Sequence, residues 1–224
     1  MRITKKPRVI LKLDFEKAYE KVSWPFLEEV MRRKGLDELW IHWINCVIKG
    51  HRVCIDLNGE RGEFFRSFEG LWQGDPLSPM LFNLVADALS TMLSRASAAG
   101  VIQGLVPNLI DGGLTHLQYA DDAVIFLSFS SENLLNIRLI LSCYEAMFGM
   151  KINFDKSEVF TMGLSEEEQH ETVRALNYKL GSFPMKYLGM PVSDCKVTKA
   201  QLKYVNDKTE KRLGTWQCDY LSSG

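Results

Sequence analysis

Two aspartates, Asp121 and Asp122, stand side by side in LQYADDAVIF, residues 117–126, between apolar runs that read as strand. An Asp pair between strands is most often a solvated turn, because a short carboxylate side chain bonds readily to its own backbone. The flanks argue for more. Leu114, Leu117 and Tyr119 on one side, and Val124, Ile125 and Phe126 on the other, set this hairpin against a core. Adjacent like charges there repel, and a divalent cation would turn the repulsion into attraction. A hard cation recruits further carboxylate oxygen, and Asp14, which ends the apolar strand RVILKL, is the candidate. If the strands lie side by side, three carboxylates meet at one end of a sheet. That arrangement suits two Mg²⁺ ions, or Mn²⁺, in phosphoryl transfer: one activates an attacking hydroxyl and the other steadies a leaving pyrophosphate.

The elements that must position these groups can be read from periodicity and punctuation. RVILKL alternates Val9, Leu11 and Leu13 against Arg8, Ile10 and Lys12, as a strand does. SWPFLEEVMRRKG predicts a helix near 26–34, capped by Ser23, with Pro25 in its first turn and Gly35 as its stop. DELWIHWINCVIKG repeats the form between Asp37 and Gly50, and Asn58-Gly59 predicts a tight hairpin. The longest helix follows WQGDPLSP, over 79–97, with Ser78 as N-cap, Pro79 first, and Leu77, Leu81, Leu84, Val85, Ala88 and Met92 on the apolar face. SAAGVIQGLVPNLIDGG reads as a connector, and 132–148 as a helix stopped by Gly149. KINFDKSEVFTMG reads as a short strand pair, or a loop plus a strand. FPMKYLGMPVSD reads as another strand pair. Capping boxes at Ser165–Glu168 and Thr198–Gln201 open the last two helices. Helices mixed with hairpin-linked strands argue an α+β fold with an antiparallel sheet.

Composition narrows the class. With 46% hydrophobic and 25% charged residues among 224, the chain can bury a core and is not disordered by composition. Its apolar runs break well short of 18 residues, so no membrane span is expected. The start lacks the separate apolar segment of a signal peptide. Five scattered cysteines without a CxxC pair fit reduced thiols in an intracellular protein, not a disulfide framework or a zinc site. A net charge of −1 lacks the basic excess of a complete nucleic-acid-binding protein, though a local basic groove fits inside a neutral total.

YADD between apolar strands is preceded by LDFEKAY and QGDPLSPMLFNL and followed by INFDKSEVF, KYLGMPV and KRLGTWQCDYLSSG. In that order these blocks resemble the reverse transcriptases of non-LTR (LINE-type) retrotransposons, their plant branch in particular, over nearly the whole chain. The resemblance implies a polymerase palm and RNA-directed DNA polymerase chemistry: a dNTP joined to a primer 3′-hydroxyl on an RNA or DNA template. Asp14 and Asp121 would be metal ligands, with Asp122 a weaker or indirect partner. The backbone at Phe15 would meet the triphosphate. Tyr19 would lie under the incoming sugar and exclude a 2′-hydroxyl. Gln73 and Gly74 would lie against template and nucleotide, Gly74 because a missing side chain permits close approach. Lys156 would sit near the leaving pyrophosphate as cation or proton donor. Residues 1–184 would be the palm, and 185–224 the primer-grip hairpin, with Tyr187 and Leu188, and the start of the thumb. Plainer readings stand beside these: Tyr19, Tyr187 and Leu188 as packing residues, Lys156 as a surface lysine, 72–79 as a helix-entry loop.

Two residues depart from the family pattern. Trp72 stands where a basic residue commonly precedes QG, and Glu20 where Asp is frequent. Only 13 residues precede Asp14, so the resemblance implies a fragment largely without fingers and with little thumb, barely active alone. A folded but non-polymerising remnant, or one reused as an interaction module, is the competing expectation. A metal-dependent phosphatase or nuclease would explain the carboxylates but not QGDPLSP. A nuclear setting is what the family implies, and no basic cluster adds to it. Oligomeric state is not legible.

Overall fold

The computed structural model describes residues 6–50, 52–106, 113–196 and 198–220, with the side chains of 199–201, 204 and 215–220 outside that description. The PNLID part of the expected connector lies outside it too. The chain divides into two compact units, Met1–Lys179 and Leu180–Gly224.

In the first unit β1 (Arg8–Leu13) is followed by the two-residue β2 (Phe15–Glu16). Helix α1 (Trp24–Arg33) begins at Ser23, whose side chain accepts from the Phe26 N–H, and Pro25 occupies its first turn. Helix α2 (Glu38–Gly50) starts behind Asp37, which accepts from the Leu39 N–H at 2.8 Å. Strands β3 (Asp56–Leu57) and β4 (Glu60–Arg61) close through Asn58 and Gly59, both at positive φ (55° and 88°), as a two-residue hairpin of this hand needs. Helix α3 (Ser78–Ala98) crosses behind the sheet. Then come β5 (His116–Tyr119), β6 (Asp122–Ser128), α4 (Ser131–Phe148), β7 (Lys151–Ile152), β8 (Glu158–Met162), α5 (Glu166–Leu176) and β9 (Lys179–Leu180). Gly149 ends α4 in the left-handed region, and Ser165 with Glu168 makes the expected capping box of α5.

The main sheet runs β5-β6-β1-β8-β9, and β1 is antiparallel to β6 on one side and to β8 on the other. This is the α+β architecture with an antiparallel sheet backed by helices. Val9, Leu11 and Leu13 share one buried core with Ala123, Ile125, Leu127 and Val159 from the sheet, Leu81, Val85 and Leu89 from α3, and Ile137, Leu141 and Tyr144 from α4.

Three sequence expectations are corrected. Ser78 is not the N-cap of α3. It is buried inside the first turn and donates to Asp75 Oδ2 at 3.1 Å, while Asp75 Oδ1 accepts from the Leu77 N–H at 3.3 Å; Leu77 holds the N-cap position without a side-chain capping bond. The inward face of α3 is rotated from the expected one. Phe82, Leu89 and Leu93 are buried, whereas Leu84, Ala88 and Met92 are only partly so: the buried residues Ser78, Leu81, Phe82, Val85, Ala86, Leu89 and Leu93 form one stripe at helical spacing, turned toward α1, α4 and β5. Finally, β7 pairs with β2 through Phe15↔Ile152 and Glu16↔Lys151, not with its neighbour β8.

In the second unit β10 (Met185–Tyr187) and β11 (Met190–Val192) form the expected strand pair, turning on Leu188 and Gly189 at φ 49° and 81°. Helix α6 (Lys199–Tyr220) contacts β11.

Candidate active site

Asp14 leaves β1 one residue past the Leu13↔Ala123 pair, level with Asp122, the first residue of β6. Tyr119↔Asp122 closes β5 on β6, leaving Ala120 (φ 52°) and Asp121 as the two-residue turn. Sheet register thus brings residue 14 to the same sheet end as residues 121 and 122.

The backbone of Asp14 is held on both sides. Its N–H donates to Ser157 Oγ at 3.0 Å, and its carbonyl accepts from the Asn153 N–H at 2.8 Å. Ser157 is fully buried. Asn153 in turn organises the loop between β7 and β8: its Oδ1 accepts from the N–H groups of Asp155 (3.0 Å) and Lys156 (3.2 Å). This side-chain-locked turn carries Lys156 Nζ to 4.0 Å from Asp14 Oδ1. Both side chains are open to water, so the pair is weak as a stabilising contact.

The Asp122 carboxyl is raised above the ordinary carboxylate range, first by burial, then by the Asp121 charge; Lys12 opposes this and Asp14 adds to it. The Tyr19 hydroxyl is raised by burial and next by Asp121. Asp14, Asp121, Asp122, Tyr19 and Lys12 therefore share one electrostatic neighbourhood. Among the described residues no three His, Cys, Asp or Glu side chains are gathered into a closed metal-holding group. The aspartates are neighbours at a sheet end, and rotation of partly exposed carboxylates is what would close them. Their chemistry fits a hard divalent cation: oxygen donors of one sign, one of them destabilised by the other two.

A consequence for stability follows. Asp122 holds its proton more tightly folded than unfolded, so its contribution falls as pH rises from about 3.8 through the raised folded value and stays lower above it. Asp121→Asn removes the larger of the two carboxylate causes. At neutral pH we expect this variant to melt higher than the parent without added metal, with the difference shrinking on acidification through that window. Melting curves between about pH 3 and 7 check it; an equal or lower melting temperature for the variant at neutral pH contradicts the mutual repulsion.

Tyr19 stacks on Phe82 of α3, with ring centroids 4.3 Å apart and planes 12° apart, so its ring plane is fixed. Its carbonyl accepts from the Leu71 N–H at 2.7 Å. Gly70 binds the same segment twice more: its N–H donates to Val22 O at 2.9 Å and its carbonyl accepts from Trp24 Nε1 at 2.8 Å. Gly70 has φ 90°, and a Cβ there would stand 2.3 Å from the Glu20 carbonyl oxygen. The loop bearing Trp72, Gln73 and Gly74 is thereby anchored beside Tyr19. Gln73 and Gly74 are exposed, and a cavity of about 290 Å³ is lined by Glu20, Gly70, Trp72 and Gln73. Gly74, at φ 94°, has nothing near its would-be Cβ, so its backbone hand is what requires glycine in this structure. Phe15 is buried with its ring 5.7 Å from that of Tyr144, which leaves only its backbone for a ligand. Tyr187 and Leu188 lie on the hairpin of the second unit.

Asn153, Ser157, Gly70 and Lys12 were not singled out by sequence reasoning. The Asn153-x-x-Lys156 spacing is a readable turn signal, whereas the roles of Ser157 and Gly70 depend on backbone partners 143 and about 50 residues away.

A family model described as reverse transcriptase (RNA-dependent DNA polymerase) matches residues 1–192. The chain is 27% identical over 214 residues to the retrovirus-related Pol polyprotein from type-2 retrotransposable element R2DM of Drosophila melanogaster, covering 93% of this chain and 17% of that protein. It is 31% identical over 113 residues to the Pol polyprotein from a type-1 element R2 of Nasonia vitripennis, covering 50% of this chain and 10% of that one. The chain thus spans a small part of the length of these relatives. Among solved structures, apo telomerase from Candida tropicalis, truncated from its C-terminal domain, matches with a TM-score of 0.61 at 15% identity, over 88% of this chain and 36% of that one. Telomerase from Candida albicans in complex with a fragment of telomeric RNA matches with a TM-score of 0.60 at 14% identity, over 95% and 37%. At such identity the likeness is one of fold.

Proposed function

The chain belongs to the reverse transcriptase (RNA-dependent DNA polymerase) family, and from that premise we propose that it is the palm of a non-LTR retrotransposon polymerase, built for nucleotidyl transfer from a dNTP to a primer 3′-hydroxyl on an RNA or DNA template. The observation that carries the reading is the register that brings Asp14 level with Asp122 and the Ala120–Asp121 turn. Asp14 and Asp121 would hold the divalent ions, Mg²⁺ or Mn²⁺, with Asp122 beside them. Such ions supply Lewis acidity to the attacking hydroxyl and to the leaving pyrophosphate.

The chain's own residues have the remaining tasks. Lys156, carried on the Asn153 turn to 4.0 Å from Asp14, offers a cation or a proton to the departing pyrophosphate. Tyr19, fixed against Phe82, presents a rigid ring under the sugar, where a 2′-hydroxyl would clash. Gln73 and Gly74 border template and base, and the backbone at Phe15 borders the triphosphate. Residues 1–184 act as palm, and the β10–β11 hairpin with α6 as primer grip and first thumb helix. The setting is nuclear, where such elements meet chromosomal DNA. Because positioning carries most of this chemistry, the 224 residues alone extend a primer barely or not at all.

Two measurements test the reading. The first is metal binding. Mn²⁺ or Mg²⁺ at ten times its dissociation constant stabilises the chain by about 1.4 kcal/mol, which raises the melting temperature by about 3–6 °C. Asp121→Asn loses that rise. No rise at millimolar metal argues that the carboxylates do not assemble. The second is primer extension with this chain substituted for the matching stretch of the Drosophila R2 polyprotein. Extension supports a competent palm, and its absence with a folded chimera supports the non-polymerising remnant.

A further inference from the structure

We infer that Lys12 is a positioning residue that holds a phosphate of the primer strand, at the linkage one nucleotide before the reacting 3′ end. Lys12 lies on β1 two residues before Asp14, on the strand face that also carries Arg8 and Ile10, away from the Val9–Leu11–Leu13 core face. In the sheet it stands opposite Val124 on one side and Glu158 on the other, and Leu117 stands opposite Val124 in turn. It is therefore one row down the sheet from Tyr119 and Asp122. Leu117 and Tyr119 in these rows are 45% and 67% exposed, whereas Val124 and Ile10 on the same face are buried, so the face is open at its β5 edge beside the aspartates and closed further along β1.

Lys12 itself is half-buried. A lysine retained only to neutralise a neighbour would be expected to touch a carboxylate. Its side chain makes no ion pair or hydrogen bond among the described residues, although Glu158 is its direct cross-strand neighbour and its charge is felt at Asp122. The ammonium group is thus held near the site with its donors unspent. Two residues of extended strand cover about 6.6 Å, which is the length of roughly one nucleotide of backbone. With the 3′-oxygen at Asp14 and Asp121, the preceding phosphodiester of a primer that leaves the site across this exposed β5 edge comes within reach of Lys12. Lysine suits that task, since a point charge neutralises a phosphate without demanding a fixed fork of hydrogen bonds.

This inference rests on the polymerase reading, and its test separates the two. Binding of the 224-residue chain to a primer–template duplex is measured over about 20–200 mM salt, where each neutralised phosphate adds about 0.9 to the slope of log affinity against log salt. Lys12→Gln should lower that slope by about 1, and Lys12→Arg should keep it. A primer whose last internucleotide linkage is a neutral methylphosphonate should cost the wild type the same slope and cost Lys12→Gln nothing further, because the two changes remove one contact. An unchanged slope in Lys12→Gln, or losses that add in full, overturns the inference and leaves the polymerase reading standing. A fall in melting temperature without a change in slope also overturns it, by making Lys12 a structural counter-charge. Absence of any duplex binding by the wild type at the lowest salt overturns the inference and leaves the polymerase reading to the chimera.

Discussion

Asp14→Ala and Asp121→Ala should each lower nucleotide addition by at least about 10³-fold in the chimera that carries this palm, equivalent to roughly 4 kcal/mol of transition-state stabilisation. The size follows from what each removes. Both carboxylates are placed by backbone that is fixed independently of their side chains: Asp14 between Ser157 and Asn153, Asp121 in the turn that closes β5 on β6. Truncation leaves the scaffold standing and deletes an anionic donor from a site whose remaining ligands are few. On the proposed roles, Asp122→Ala should cost less, as an indirect partner would, and Lys156→Ala about 10²-fold, as for loss of a positioned proton donor. The chimeras should melt at or above the parent without added metal, because like charges have been separated. Rates within threefold of the parent for both Asp14→Ala and Asp121→Ala would remove the basis for the polymerase reading.

Gly70→Ala is expected to be the most damaging small substitution outside the aspartates. An added Cβ meets the Glu20 carbonyl oxygen at 2.3 Å, and the backbone carries φ 90°, which L residues rarely adopt. Relief requires prising apart the segment that three hydrogen bonds tie together, from Gly70 to Val22, Leu71 to Tyr19 and Trp24 to Gly70. A loss of more than about 3 kcal/mol is expected, seen as a fall of about 6–12 °C in melting temperature. Gly74→Ala is the control. It has nearly the same φ, 94°, but open space around the new methyl, so strain alone applies and about 1–2 kcal/mol is expected. Equal effects at the two glycines would show that the close approach at Gly70 is relaxed cheaply.

What could be read from the sequence was local. Ser23, Asp37, Gly149 and the Ser165–Glu168 box announce helix ends through bonds that span two to four residues, and Asn58-Gly59 announces a turn through its own φ angles. The aspartate hairpin was legible for the same reason. The rest depends on partners far away. Nothing near Ser157 reveals that its hydroxyl meets the backbone of Asp14, 143 residues earlier. Nothing near Lys151 and Ile152 reveals that they pair with β2 in preference to the adjacent β8. The face of α3 was misread because apolar residues occur on two adjacent stripes of this helix, and only the packing partners decide that the one through Phe82, Val85, Leu89 and Leu93 is buried. Ser78 was read as the cap because it offers the common pattern before Pro79, whereas it donates to Asp75 and Leu77 is the N-cap.

The central place of β1 has a consequence for how the chain is made. Its apolar segment, Arg8–Leu13, is synthesised well before its partners, the first of which begins at Asp122 and the second at Glu158. At about 5–20 residues per second, the nascent chain carries RVILKL with both edges unpaired for roughly 6–22 s before β6 exists, and longer before β8 does. During that interval an unpaired apolar strand is a template for misassembly with other chains. Slow translation through the region between α3 and β6 prolongs the hazard, and a holdase that binds short apolar stretches relieves it. Yield of folded protein should therefore depend on synthesis rate and chaperone supply.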